Sequence, residues 1–231
     1  MMINIKGIQK TTLIDYPGKI ACIIFLGGCN FKCGYCYNSD VVFNKTSSIS
    51  EEEVFSFLET RKKYIEGVCI TGGEPTIHKE LPNFIRQIKS LGYKVKLDTN
   101  GTNPEIVELL INNNLIDYIA MDIKCGEEKY EKITQTFVPI EKIKRSIELI
   151  IKSGIEYEFR TTILPTFDVE EIQKIGLMIK GANKHFIQQF KTAPTMIDLS
   201  MAKLESLDKD KLEEYKAIMS DYVQNVSIRS V

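Results

Sequence analysis

Three thiols stand within eight residues, in Cys29-Asn-Phe-Lys-Cys33-Gly-Tyr-Cys36, directly after the apolar run Ile20 to Leu26 and Gly27-Gly28. Thiolates are soft metal ligands, and three in one loop describe a site with a position left open. A structural zinc site is closed by four protein ligands, usually supplied as two separated pairs. The sequence contains no second Cys-x-x-Cys and no His pair. A cubane iron-sulfur cluster has four irons, so three thiolates leave one iron free to bind a further group. The alternative, three structural or zinc-binding cysteines, lacks its fourth ligand. His78 and His185 are the two histidines, far apart in the chain, and neither is needed as a ligand.

A second group of residues suits the binding of a charged small molecule. Gly72-Gly73-Glu74-Pro75 follows Thr71, and glycines at a strand end let a ligand approach the backbone closely. Neither a Gly-x-Gly-x-x-Gly fingerprint nor a Gly-Lys-Thr/Ser phosphate loop is present. Charges recur at alternate positions: Lys94, Lys96 and Asp98; Asp122 and Lys124; Glu158 and Arg160 with Thr162, opposite Tyr157, Phe159 and Ile163. In a strand such residues share one face. A solvated edge strand would explain one such stripe; three together point to a lined cavity.

The elements that must position these residues follow a regular cadence. Lys19–Leu26, Gly67–Thr71, Lys94–Asp98, Asp117–Lys124, Ile155–Ile163 and His185–Phe190 read as strands, separated by amphipathic helical segments. Ser50 with Glu53 forms a capping box, and Asp168 with Glu171 resembles one. Thr76 is placed as the cap of the helix carrying Phe84, Ile85 and Ile88, which Gly92 stops, and Pro104 sits in the first turn of another. Ile140 to Ser153 reads as a further helix, ended at Gly154. Strands alternating with helices pair in parallel through right-handed crossovers. About six such units predict an α/β fold, a partial parallel (β/α)6 TIM-like barrel whose core spans about residues 19 to 190. Leu204 to Val223 reads as a terminal helix and Val226 to Arg229 as a short strand. The polar lead-in, residues 3 to 18, is expected to pass over one end of the barrel. A closed barrel fills its interior with apolar layers, whereas a partial barrel leaves a cavity open to a cofactor and a substrate.

Composition narrows the partners. With 231 residues, 43% hydrophobic and 26% charged, the chain suits a single domain over residues 1 to 231. A formal net charge of -1 provides no field for nucleic acid or an anionic membrane. No apolar run approaches the length of a membrane span, and the start lacks the regions of a signal peptide, so a cytoplasmic location is expected. The other cysteines, Cys22, Cys69 and Cys125, lie in or beside strands and read as small buried hydrophobes.

Cys-x3-Cys-x-aromatic-Cys, with Tyr35 as the aromatic, resembles the signature of radical S-adenosylmethionine (SAM) enzymes. The resemblance implies one [4Fe-4S] cluster on Cys29, Cys33 and Cys36, with its free iron holding the methionine end of SAM. Gly72-Gly73-Glu74 resembles the Gly-Gly-Glu motif of the same family, implying that Thr71, Gly72 and Gly73 hold the methionine ammonium. Asp98-Thr-Asn-Gly101 and Met121-Asp-Ile-Lys124 resemble segments of glycyl-radical-enzyme activating enzymes. By that resemblance Asp98, Thr99 and Asp122 assemble a cation site beside the SAM carboxylate, and Lys124 and Arg160 reach the carboxylate or ribose. Tyr35 and Tyr37 flank the adenine, and Gln188 or Gln189 bonds it. The implied activity is reductive cleavage of SAM to methionine and a 5′-deoxyadenosyl radical, with an electron from a flavodoxin or ferredoxin.

Departures from the pattern narrow the branch. Cys36 is followed by Tyr37-Asn38 rather than His-Asn, and, His185 at the start of the strand apart, the sixth-strand His found in some relatives is missing, which argues against pyruvate formate-lyase activation. Thr12-Leu-Ile-Asp-Tyr-Pro-Gly18 with Gln188-Gln-Phe190 is most similar to the anaerobic ribonucleoside-triphosphate reductase activating group, implying hydrogen abstraction from a glycine of that reductase. The competing readings are a small-molecule enzyme such as a 7-carboxy-7-deazaguanine synthase, activation of a different glycyl-radical enzyme, and a non-catalytic iron-sulfur electron carrier. A carrier would need the thiols but not Gly72-Gly73, Asp122 or Arg160.

Overall fold

The computed structural model describes residues 3–229, just short of both ends of the range read as one unit. Its eight strands form one sheet in the order of the sequence: β1 (Ile5–Thr12), β2 (Ala21–Leu26), β3 (Gly67–Gly72), β4 (Lys94–Thr99), β5 (Tyr118–Asp122), β6 (Glu156–Ile163), β7 (Lys184–Gln189) and β8 (Asn225–Arg229). From β2 onward every pairing is parallel. Six helices make the crossovers: α1 (Glu51–Arg61), α2 (Leu81–Ser90), α3 (Pro104–Asn112), α4 (Ile140–Lys152), α5 (Val169–Met178) and α6 (Lys209–Met219). The sheet runs open from β1 to β8. It is the partial barrel of six βα units that the alternation of strand and helix predicts, with β8 as a further parallel strand.

Strand register sorts the side chains into two layers. Cys22, Ile24, Val68, Ile70, Val95, Leu97, Ile119, Met121 and Phe159 are buried in one continuous apolar cluster with Phe84, Ile85, Leu110 and Ile147 of the helices. Neighbours across parallel strands share a face, so the pairs Cys69 and Lys96, Asp98 and Ala120, and Asp122 and Arg160 place the charged residues together on the opposite, concave face. Lys94 leaves this set: it stands at the start of β4 with its side chain 55% exposed, paired with Asp117 at 2.8 Å.

The lead-in departs from expectation. Ile5–Thr12 is an edge strand, antiparallel to β2, and its Gln9, Lys10 and Thr11 are exposed because it has only one neighbour. Only the loop after it covers a barrel end, where Tyr16, 2% exposed, packs with Ala21 and Tyr118. Ser50 and Asp168 cap their helices as predicted, accepting from the amides of Glu53 and Glu171. Thr76 does not cap α2; it lies in the single turn Pro75–Ile77, and α2 begins at Leu81. The terminal helix is shorter than Leu204 to Val223, because Asp208 accepts from Lys211 and starts α6 there, after a separate turn at Met201–Lys203.

Candidate active site

The three cysteines lie in the loop that leaves β2. Phe31, 3% exposed, anchors it by packing edge-on against Tyr130, with ring centroids 6.5 Å apart. The Lys32 amide donates to the Thr134 carbonyl at 2.8 Å, and the Cys36 amide to the Cys33 carbonyl at 2.9 Å. His78 bonds through Nε2 to the Gly27 carbonyl at 2.9 Å, a supporting role rather than a ligand's. A segment that the sequence left without a role, residues 195 to 198, straps the loop. Ile197 and Asp198 donate their amides to the carbonyls of Cys36 and Gly34, at 3.1 and 2.9 Å, and the Thr195 hydroxyl donates to the Tyr37 carbonyl at 2.7 Å.

Burial pushes the Cys29 thiol up to about 12, and raises Cys33 and Cys36 as well; the charge of Lys124 opposes burial at all three. Lys124 is therefore the cation nearest in effect to this loop. The Phe31 amide donates to Cys29 Sγ at 3.4 Å, a contact that favours the thiolate. Among the described residues no three His, Cys, Asp or Glu side chains gather tightly enough to hold a single metal ion. A cubane makes a different demand, since each thiolate binds its own iron.

Gly72 and Gly73 are required for a reason other than ligand approach. A Cβ on Gly73 would lie 1.8 Å from the Gly28 carbonyl oxygen, and one on Gly72, at φ +120°, 2.3 Å from the Leu26 carbonyl oxygen. The turn docks directly onto the base of the cysteine loop, where Gly73 and Glu74 donate amides to Leu26 and Gly28. Glu74 is 1% exposed. Its carboxylate accepts from the Thr76 amide and hydroxyl, from the Thr99 hydroxyl at 2.7 Å and from the Asn100 amide at 2.6 Å. Burial raises its pKa while these donors pull against the shift. Thr99 thus faces Glu74, away from Asp98, and the side chains of Asp98, Thr99 and Asp122 do not assemble together. Adjacent strand residues point to opposite faces, which separates the Thr99 side chain from that of Asp98.

The remaining charges converge on the concave face. Arg160 donates Nε to Asp122 at 2.8 Å and Nη1 to Asp98 at 3.1 Å. Lys124 reaches Asp122 at 3.0 Å, and Lys96, 1% exposed, pairs with Asp98. Burial alone would raise Asp122 and Asp98; Arg160 and the two lysines outweigh it and hold both carboxyls below their usual range. By the same pairing Lys124 and Arg160 stay protonated despite burial. Three cations against two carboxylates leave one positive charge in excess. Deeper on this face Glu158, 1% exposed, accepts from Tyr118 at 2.8 Å and pairs with Arg229 of β8 at 3.1 Å.

The other site candidates divide. Thr71 pairs with Phe25 two residues on from Cys69, on the concave face. Tyr35 has a buried hydroxyl without a hydrogen-bond partner, an orphan that fits a group yet to bind. Tyr37 is exposed on the rim. Gln188 pairs with Thr162 and so shares the face of Arg160. Gln189 does not: it pairs with Ile163 and donates to the Leu207 carbonyl at 2.8 Å on the helix side. His185 also lies on the helix side, bonded to Thr161 at 3.0 Å, and burial holds its pKa down at about 3.

With this geometry in place, comparison with known proteins decides the family. Residues 23–179 match the model of the radical SAM superfamily. The chain belongs to the radical SAM superfamily. A putative glycyl-radical enzyme activating enzyme from Methanocaldococcus jannaschii is 37% identical over 98% of this chain and 96% of its own length. A 7-carboxy-7-deazaguanine synthase from Neisseria meningitidis is 34% identical, but over 49% of each protein. Among solved structures, Streptococcus suis SuiB superposes with a TM-score of 0.69 at 16% identity, over 90% of this chain and 48% of that longer one, a likeness of fold. This radical SAM enzyme thus resembles the activating branch along its full length, and its cofactors are a [4Fe-4S] cluster and SAM. The donor set fits them: three thiols in a loop under a cation, a concave face with excess positive charge and an unpartnered phenol. Among the described residues no helix is long and apolar enough to cross a membrane.

Proposed function

We propose that this protein activates an anaerobic ribonucleoside-triphosphate reductase by abstracting a hydrogen atom from a glycine Cα of that enzyme. The observation that carries the site assignment is the paired cluster Lys96, Asp98, Asp122, Lys124 and Arg160 on the concave face, with Lys124 acting on all three thiols. Cys29, Cys33 and Cys36 would hold the [4Fe-4S] cluster, and the chemistry that cluster and SAM would supply there is reductive cleavage of the SAM sulfonium bond. Lys124 and Arg160 present their positive charge to the SAM carboxylate, an arrangement that binds an anion without stripping the carboxylates of their partners. The backbone at Thr71, Gly72 and Gly73 offers strand-end carbonyls to the ammonium. Tyr35, Tyr37 and Gln188 border the adenine. The sheet is open between β1 and β8, and a protein loop would enter the concave face from that side. A flavodoxin or ferredoxin delivers the electron. The specific partner rests on the lead-in Thr12–Gly18 and Gln188-Gln-Phe190 resemblance.

The test mixes reduced, cluster-loaded protein and SAM with the candidate reductase. Expected are 5′-deoxyadenosine and a glycyl radical doublet by electron paramagnetic resonance, absent when the reductase's C-terminal glycine is alanine. Cys33→Ala should abolish both. Turnover of a small pterin-like substrate without a protein partner would replace this reading with that of a synthase, and a loaded protein that makes no 5′-deoxyadenosine would reduce it to an electron carrier.

A further inference from the structure

The residue after Cys29 is tied to a different strand end. Asn30 accepts at Oδ1 from Asn100 Nδ2 at 2.8 Å and donates Nδ2 to the Thr102 hydroxyl at 2.8 Å. Asn100, 5% exposed, is itself immobilised: its amide nitrogen donates to buried Glu74 at 2.6 Å, and its Oδ1 accepts from the Thr102 amide and hydroxyl at 3.0 and 2.7 Å. An unbroken chain of hydrogen bonds therefore runs from the Gly-Gly-Glu turn after β3, through the end of β4, to the cysteine loop after β2.

We propose that Asn100 is a positioning residue of the cysteine loop, fixing Asn30, and with it Cys29, relative to the turn that carries Gly72 and Gly73. The physical case rests on three features. Asn100 is rigid before it meets Asn30, so the bond between them costs little side-chain freedom on one side. Asn100 is buried and Asn30 half-buried, so removing Asn30 leaves the Asn100 amide donor buried without its partner. And the loop's other fixings lie to either side of Asn30: the Gly-Gly-Glu turn and His78 hold Gly28 and Gly27 before it, and Phe31 on Tyr130 and the strap on Gly34 and Cys36 follow it. The β4 end reaches the residue beside the first ligand through Asn100 and through Thr102, which Asn100 itself holds. Neither Asn100 nor Asn30 is a ligand; each acts through the placement of Cys29. The proposal rests on reading this loop as the cluster loop.

The experiment is arranged so that the pin and that reading fail separately. Amide hydrogen exchange on the metal-free protein is followed in peptides covering residues 27–38 for wild type, Asn100→Ala, Asn30→Ala, the double variant and Asn30→Asp, which keeps the acceptor. Loss of one buried hydrogen bond is worth about tenfold in local opening. Both alanine variants should exchange about tenfold faster in this loop alone. The double variant should go no further than Asn30→Ala, and Asn30→Asp, which keeps the acceptor for Asn100 but loses the donor to Thr102, should fall between wild type and Asn30→Ala. Unchanged loop exchange, acceleration spread equally over the α5 peptides, or additive effects would overturn the proposal. In reconstituted protein the same alanine variants should shift the cluster's midpoint potential and release iron to a chelator faster; an unmoved potential and release rate would leave Asn100 a residue of general structure only, and overturn it. Failure of wild type to assemble a [4Fe-4S] cluster would strike the functional reading and leave the exchange result standing.

Discussion

Replacing Arg160 with methionine removes one guanidinium from between two carboxylates while keeping much of its apolar stem. Arg160 is 12% exposed, and it bonds Asp122 at 2.8 Å and Asp98 at 3.1 Å. Removing one partner of a buried ion pair costs about 3 to 5 kcal/mol, because the surviving charge is left uncompensated. Here each carboxylate retains a lysine, Lys96 for Asp98 and Lys124 for Asp122, so the low end applies. The expected loss is about 3 kcal/mol, or a melting temperature lower by about 6 to 12 °C for a chain of this size. The pH dependence carries the sharper test. In wild type both carboxyls are held below their ordinary pKa, so their stabilisation is present above the unfolded value of about 3.9 and fades only as pH falls through the lower folded values. Without Arg160, burial pushes the folded pKa values up, and protonation then relieves the strain of an underpaired charge. The penalty should be largest near neutral pH and shrink as pH is lowered toward about 4. Urea unfolding of both proteins across that range measures it. A penalty under about 1 kcal/mol, or one that does not change with pH, would refute the account of this cluster as mutually compensating charges.

Gly73→Ala should be among the most damaging small changes in the chain, since its Cβ would sit 1.8 Å from a backbone oxygen that no rotamer can move; the expected cost is about 3 kcal/mol, the upper end for overpacking, read as a lowered melting temperature and lower iron uptake, and a wild-type melt would contradict the close docking of turn and loop. Glu74→Gln keeps the shape of a side chain that accepts from four donors but turns one acceptor into an amide donor. A loss of about 2 kcal/mol is expected, and an unchanged unfolding midpoint would mean that the carboxylate is not the hub described.

Much of this protein was legible in its sequence because the deciding signals are local. Cysteine spacing is set within one loop. The alternation of strand and helix is read from periods of two and 3.6 residues, and Ser50 and Asp168 cap helices through partners three residues away. Period two also sufficed to group Asp122 with Lys124 and Glu158 with Arg160. What the sequence could not supply were quantities set by register and by distant partners. Gln188 and Gln189 are equal candidates until the pairing with Thr162 and Ile163 shows which of them faces the cavity. Thr99 looks like a companion of Asp98 until Glu74, distant in sequence, claims its hydroxyl. Ile5–Thr12 reads as an irregular lead-in because an edge strand has one neighbour and keeps polar residues, blunting the pattern that marks interior strands. The Asn100–Asn30 bond spans seventy residues, and the strap at 195 to 198 meets the cysteine loop through backbone amides that every residue type possesses. Side-chain identity carries chemistry and local geometry, but a backbone donor or a contact between remote strand ends leaves no mark on the sequence until the sheet is assembled.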